Sequence, residues 1–167
     1  EGQYSKDKPI GIVKEYYPPD PDASVVRTVL HKETQYEENV ERAVLREYSP
    51  KGVKILSRSL KDGESDGEVQ EFYNDGALKL SGNFLNALKD GEWKEYYSDG
   101  NIRFLYNYTL GKLHGAYKSW HPVIKPEKED EEDTGEALKA VTKEEGEYVN
   151  DEKNGKWTTW YPNERLQ

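Results

Sequence analysis

The chain repeats itself every 24 residues, and this period limits the fold more than any other feature of the sequence. GEVQEFYNDGALKLSGNFLNALKD from Gly67 aligns with GEWKEYYSDGNIRFLYNYTLGKLH from Gly91, and GAYKSWH opens another unit at Gly115. Stepping back 24 residues from Gly67 reaches AVLREYSPKGVKIL at Ala43. Allowing 8 extra residues in one unit and 16 in another adds GIVKEYYPPD at Gly11 and GKWTTWYPNERLQ at Gly155. Six units result, starting at residues 11, 43, 67, 91, 115 and 155 of the 167, which are read as one repeat domain over 1–167. The third position of each is apolar or aromatic: Val13, Leu45, Val69, Trp93, Tyr117, Trp157. The sixth is always a ring: Tyr16, Tyr48, Phe72, Tyr96, Trp120, Trp160. The seventh is often Tyr (Tyr17, Tyr73, Tyr97, Tyr161), and a large residue stands seven before each following unit: Tyr36, Leu60, Phe84, Tyr108, Tyr148. Tandem units of this size cannot bury their rings alone and must stack.

Each unit reads as two strands. GEWKEYY is rich in β-formers and too short for a useful helix, and NIRFLYNY returns after SDG. Asp-Gly between such runs predicts a two-residue type I′ hairpin turn, with Gly52, Gly76 and Gly100 at its positive-φ position. TLGKLHG and LNALKDG then read as the loops that cross to the next hairpin. The expectation is an all-β, elongated antiparallel meander of tandem hairpins. Strict alternation would point Trp93 and Tyr97 one way and Tyr96 the other, so either both faces carry partly covered rings or a bulge near Glu95 realigns them.

Composition agrees with a thin, wetted sheet. Hydrophobic and charged residues each make up 34%, which is little for a thick core, yet 13 Tyr, 4 Trp and 3 Phe are too many rings for a disordered chain. The net charge of −9 leaves no basic field for nucleic acid and argues against anionic lipid. Glu127 to Glu136 alone carries 7 acidic residues and 1 basic. This run is the character of an acidic insertion at about 122–138, read as a solvated loop with a weak Ca²⁺ site or a docking role as its functional counterpart. There is no Cys, and no apolar run approaches the roughly 20 residues that span a bilayer. A start at Glu1 in a chain without Met fits removal of an export signal, giving a periplasmic or cell-surface bacterial protein as the expectation and the cytoplasm as the alternative.

GEWKEYYSDGNIRFLYNYTLGKLHG resembles the bacterial variant of the MORN repeat: Gly-x-aromatic-x-x-Tyr-Tyr-x-x-Gly, a second strand ending in Tyr, then Gly-Lys-x-x-Gly. The resemblance covers residues 11–17 and 43–167 apart from the insertion. It is close at Gly67 and Gly91, fair at Gly115 and Gly155, and weak at Gly11, where PPDPDASVV replaces the turn. Glu164 replaces the turn glycine in the last unit. Arrays of this kind often carry the label YwqK-like antitoxin. The resemblance implies a β-hairpin meander, scaffolding and protein contact, and it brings no catalytic residues.

No catalytic set, cofactor motif or metal-ligand spacing stands out. His114 reads as a turn residue, His121 as a replacement for a surface ring, and His31 as isolated. Most rings read as core of the sheet; Trp93, Tyr97, Trp120, Trp157 and Trp160 are the candidate ligand or partner surface. The function expected is a non-enzymatic scaffold for protein partners, with no cofactor and no nucleic acid. The alternatives are an exported glycan or cell-envelope binding module using exposed rings, and an antitoxin or immunity-type protein that binds a basic toxin.

Overall fold

The computed structural model describes residues 3–5, 8–19, 28–37, 41–123 and 140–163. They form β1 (Gln3–Ser5), β2 (Lys8–Tyr16), β3 (Leu30–Tyr36), β4 (Arg42–Tyr48), β5 (Lys54–Lys61), β6 (Glu64–Phe72), β7 (Leu78–Leu85), β8 (Leu88–Tyr96), β9 (Ile102–Thr109), β10 (Lys112–Trp120), β11 (Thr142–Val149) and β12 (Glu152–Thr159). Strand order in the sheet is chain order, and each pairing is antiparallel. This is the meander of hairpins that the repeat predicts. The short β1 lies before the six repeat units, yet the sequence carries its signal: Tyr4 stands seven before Gly11 and opposite Pro9, as Phe84 stands seven before Gly91 and opposite Lys89.

Period-two alternation sorts the side chains onto two faces. On one face, third positions pair with residues of the return strands: Val13 with Thr34, Leu45 with Arg58, Val69 with Gly82, Trp93 with Tyr106, Tyr117 with Gly146. The core sits here, in Leu56, Val69, Trp93 and Tyr106, flanked by Leu80, Phe84, Phe104, Tyr108, Leu113 and Tyr117. The other face carries a charged row, with ion pairs Lys14–Glu33 (3.8 Å), Arg46–Glu33 (3.2 Å) and Lys118–Glu145 (2.9 Å). The question of rings on both faces has a double answer. The bulge near Glu95 exists, and the same register shift between fifth and sixth positions recurs at Glu15/Tyr16, Glu47/Tyr48, Glu71/Phe72 and Ser119/Trp120. Rings also reach the charged face, where Lys118 Nζ lies 5.8 Å from the centre of the Trp120 ring.

The turn types are the reverse of the sequence prediction. The Asp-Gly turns are three-residue loops: Tyr97 N–H donates to the Asn101 carbonyl (2.8 Å) and Gly100 N–H to the Tyr97 carbonyl (3.0 Å). Only Gly100, at φ 85°, is left-handed there; Asp99 uses its carboxylate instead, accepting from Asn101 N–H at 2.9 Å. This is a type I turn closed by a glycine bulge, in which Asp serves as a side-chain acceptor. The stretches read as crossing loops are the two-residue I′ turns, with both central residues at positive φ: Asp62 (51°) and Gly63 (84°), Asn86 (49°) and Ala87 (63°), Leu110 (49°) and Gly111 (82°), Asn150 (50°) and Asp151 (71°). His114 is accordingly an exposed residue within β10, and not part of a turn. Most of the acidic insertion, including Glu127 to Glu136, and Glu164 lie outside the described residues.

Successive I′ turns are tied to the preceding unit. Asp62 N–H donates to the Glu41 carbonyl (2.6 Å), Ala87 N–H to Ser65 (2.9 Å), Gly111 N–H to Lys89 (2.8 Å) and Asp151 N–H to Leu113 (2.9 Å). Asp66 and Asp90 add carboxylate bonds to the N–H groups of Asn86 (3.0 Å) and Leu110 (3.4 Å). The opposite margin carries both long insertions. Each hangs from the same bond that closes the short turns: Tyr17 N–H to the Val29 carbonyl (3.0 Å) and His121 N–H to the Val141 carbonyl (2.8 Å).

Candidate functional site

Two joints of the sheet share a twelve-residue pattern, GNFLNALKDGEW from Gly82 and GEYVNDEKNGKW from Gly146. In both, the Trp ring lies on the glycine of the preceding strand: a Cβ built on Gly82 would enter the Trp93 ring, and one on Gly146 the Trp157 ring. The ring third in the pattern packs edge-on against the Trp, Phe84 to Trp93 at 5.3 Å and Tyr148 to Trp157 at 5.0 Å. The pattern's Lys covers the outer side, with Lys89 Nζ 4.3 Å from the Trp93 ring and Lys153 Nζ 3.9 Å from Trp157. A cation over an indole is worth about 0.5–2 kcal/mol. The sequence held this signal as a fixed Gly–Lys–Trp spacing within the repeat, and reading the third positions only as "apolar or aromatic" passed over it.

A second recurring device joins units through the seventh position. Tyr17 donates its hydroxyl to the Tyr48 carbonyl (2.8 Å), Tyr73 to Tyr96 (2.6 Å) and Tyr97 to Trp120 (2.9 Å). Each phenol thus reaches the carbonyl of the sixth-position ring one unit on. His121 does the same with the Trp160 carbonyl at 2.8 Å; because a carbonyl only accepts, Nε2 carries the proton. His121 is therefore a structural donor in place of Tyr, and not simply a surface ring. Ser49 fills the seventh position in the unit at Ala43; it is buried, and its hydroxyl accepts from Val53 N–H within its own turn at 3.3 Å.

Of the five residues singled out as a surface, Tyr97 and Trp120 are joined by a hydrogen bond, and none of the five stands fully exposed. Trp93 is 2% exposed and belongs to the core, so the sheet does not offer its ring to a ligand. Trp157 lies half-buried on the same face, with its indole N–H enclosed and unpaired, as is that of Trp93. Trp120 and Trp160 are half-buried, their carbonyls taken by Tyr97 and His121. Tyr97 is spent on that contact, with Arg103 5.6 Å from its ring, and burial raises its phenol pKa.

The core face also carries a row of carboxylates. Glu47 and Glu71 flank Leu56, and Glu71 and Glu95 flank Leu80, in successive cross-strand pairs. Tyr106 donates its hydroxyl to Glu95 at 2.6 Å, and burial first, then this bond and the neighbouring carboxylates, hold its pKa far above that of an ordinary phenol. At the other end Lys153 donates to Glu144 at 2.6 Å, which raises the lysine pKa. Among the described residues no three His, Asp or Glu side chains stand where they would hold a metal ion, and no helix is long and apolar enough to cross a membrane. The geometry offers spaced rows of rings, carboxylates and ion pairs.

The family model described as MORN repeat variant matches residues 65–86 and 89–109. These segments hold β6–β7 and β8–β9, the two hairpins nearest the repeat's own consensus. No curated protein matches the chain.

Proposed function

We propose that this protein is a non-enzymatic scaffold whose repeat sheet binds other polypeptides. The observation that carries the reading is the topology. The strands lie in chain order in one sheet, and among the described residues each strand packs on its sequence neighbours, with no second layer laid over either face. A single-layer sheet spends its chain on two broad faces and two rows of turns. The MORN repeat variant match over two hairpins supports the same reading, since repeat arrays of this kind serve as extended binding surfaces. Rows of side chains recurring at roughly 10 Å per hairpin suit a partner that lies along the sheet.

The experiment is site-specific photo-crosslinking in the cells that make the protein. A photoreactive residue is placed in turn at Glu71 on the core face, at Lys118 on the charged face and at Lys112 beside the row of I′ turns. Discrete protein adducts from at least one position are expected. Adduct-free protein at all three positions would sink the scaffold reading.

A further inference from the structure

The row of I′ turns carries an exposed apolar cluster that the packing of the sheet leaves unused. Leu85 and Leu88 stand opposite each other across the Asn86–Ala87 turn and are 43% and 46% exposed. Leu110 opens the next turn and is 65% exposed, the largest value among the exposed large hydrophobics of the described residues. The two turns adjoin: a Cβ on Gly111 would stand 3.3 Å from Leu88 Cδ2. The three leucines therefore stand on adjoining turns of neighbouring units.

Leu110 is the anomaly. Its φ is 49°, and the equivalent first turn positions are Asp62, Asn86 and Asn150. Asp and Asn tolerate left-handed backbone, whereas a bulky side chain there costs on the order of 1–3 kcal/mol. That cost is met by no burial in the isolated chain. The same face of the adjoining strands is acidic. β6 points Glu64, Asp66 and Glu68 to this side, and β8 points Asp90 and Glu92. Asp66 is paired with Arg42 (3.8 Å) and Glu92 with Lys94 (2.6 Å), while Glu64, Glu68 and Asp90 have no ion pair among the described residues. The cations on this side are Arg42 and Lys94, held in those two pairs, with Lys61 on β5 and Lys112 on β10, so the carboxylates left without a cation among the described residues are those of Glu64, Glu68 and Asp90.

We propose that Leu85, Leu88 and Leu110 anchor a polypeptide segment whose apolar side chains are flanked by Lys or Arg. The apolar centre supplies the contact, and the carboxylates of β6 and β8 select the sign of the flanks. An exposed, conformationally costly leucine beside two others is stabilised once a partner covers it, and an acidic rim favours a basic partner over an acidic one. This deepens the scaffold reading and rests on it.

The test uses a fluorescein-labelled amphipathic peptide of leucine and lysine, its leucine–glutamate counterpart, and fluorescence anisotropy with the full chain. The leucine–lysine peptide should bind saturably and weaken as salt rises, and the leucine–glutamate peptide should not bind. Leu110→Asn and the double variant L85S/L88S should each weaken binding at least tenfold. Asn suits the left-handed position, so Leu110→Asn should unfold at the same denaturant concentration as the parent or a higher one, which separates lost binding from lost folding. Equal binding by Leu110→Asn, or no saturable binding of the leucine–lysine peptide, overturns the proposal. So does sedimentation showing a dimer that Leu110→Asn dissociates, since the occupant would then be a second copy. If the patch fails while crosslinks from Glu71 and Lys118 persist in Leu110→Asn, the scaffold reading stands without it; loss of every crosslink in the parent removes both.

Discussion

The same row of the same face is built differently in its two halves. From β2 to β6 it runs Val13, Thr34, Leu45, Arg58, Val69: mid-sized side chains opposite mid-sized side chains, with Thr34 buried. From β7 onward it places Gly82 and Gly146 beneath Trp93 and Trp157, with a lysine over each indole. Even the cation moves. At the Arg58–Val69 joint, Arg58 itself extends to Ser65 Oγ (3.3 Å), and Ser65 stands where Lys89 and Lys153 stand in the tryptophan joints. A one-layer sheet has no second layer to fill gaps, so volume must balance strand by strand. One half fills every position with a side chain; the other sets glycines beneath Trp93 and Trp157 and packs ring against ring between them, Trp93 opposite Tyr106 and Tyr106 opposite Tyr117.

Breaking the tryptophan joint should have the largest effect. Trp93→Ala removes the most buried ring and should cost about 3–5 kcal/mol by chemical denaturation, against about 2–3 kcal/mol for Val69→Ala at the equivalent position. A near-equal pair of values would erase the distinction between the halves. Next in size, Gly82→Ala drives a methyl into the Trp93 ring and should cost about 1–3 kcal/mol, whereas the same change at solvent-facing Gly91 acts only through its φ. The converse test moves the joint: Val69→Trp alone should destabilise by about 1–3 kcal/mol through overpacking against Arg58, and R58G and S65K added together should recover most of it. No recovery would mean the pattern depends on more than Gly, Lys and Trp.

Smaller effects sharpen the comparison at the hydroxyls. Tyr97→Phe deletes the bond to Trp120 and leaves the ring, so a loss of about 0.5–1.5 kcal/mol is expected. Ser49→Ala, at the seventh position where no such inter-unit bond forms, should leave the coupling between the units at Ala43 and Gly67 unchanged. Tyr106 gives a pH signature. Its pKa is raised in the folded state, so its contribution is fully present below the unfolded phenol value near 10 and falls as pH climbs above it. Stability should therefore drop on the alkaline side more steeply in the parent than in Tyr106→Phe, and parallel curves would show that burial of this phenol is not linked to folding.

The fold was legible because the repeat is carried by ring spacing, which survives every substitution between units. The turn chemistry was not, and the reason is specific. Asp-Gly in YSDG predicts a left-handed pair, but Asp99 serves there as a carboxylate acceptor for Asn101 N–H. Leu110 and Ala87 carry no turn signal; cross-strand register, with the bonds from the Leu110 N–H to Asp90 and from the Ala87 N–H to Ser65, holds them at positive φ. For the candidate surface, residue type misled. Trp93 is a surface candidate by its large ring and is buried for the same reason, while Leu85, Leu88 and Leu110 fall in the stretches that read as crossing loops. Exposure of a ring in a one-layer sheet depends on what stands in the neighbouring strand, as Gly82 shows, and that pairing becomes visible only once the register is known.

The unequal margins of the sheet bear on how such a chain can change. The I′ margin is a ladder in which each of the four described I′ turns is bonded to the unit before it, and a residue added there would throw two units out of step. The other margin closes each loop with one bond at its base, whether three residues or many lie beyond it. Length has accumulated only on that side, as 8 residues in one unit and 16 in another. The sheet thus has a spine and a hem, and a foreign loop stitched in at Ser98–Gly100 should leave the rows of both faces in place.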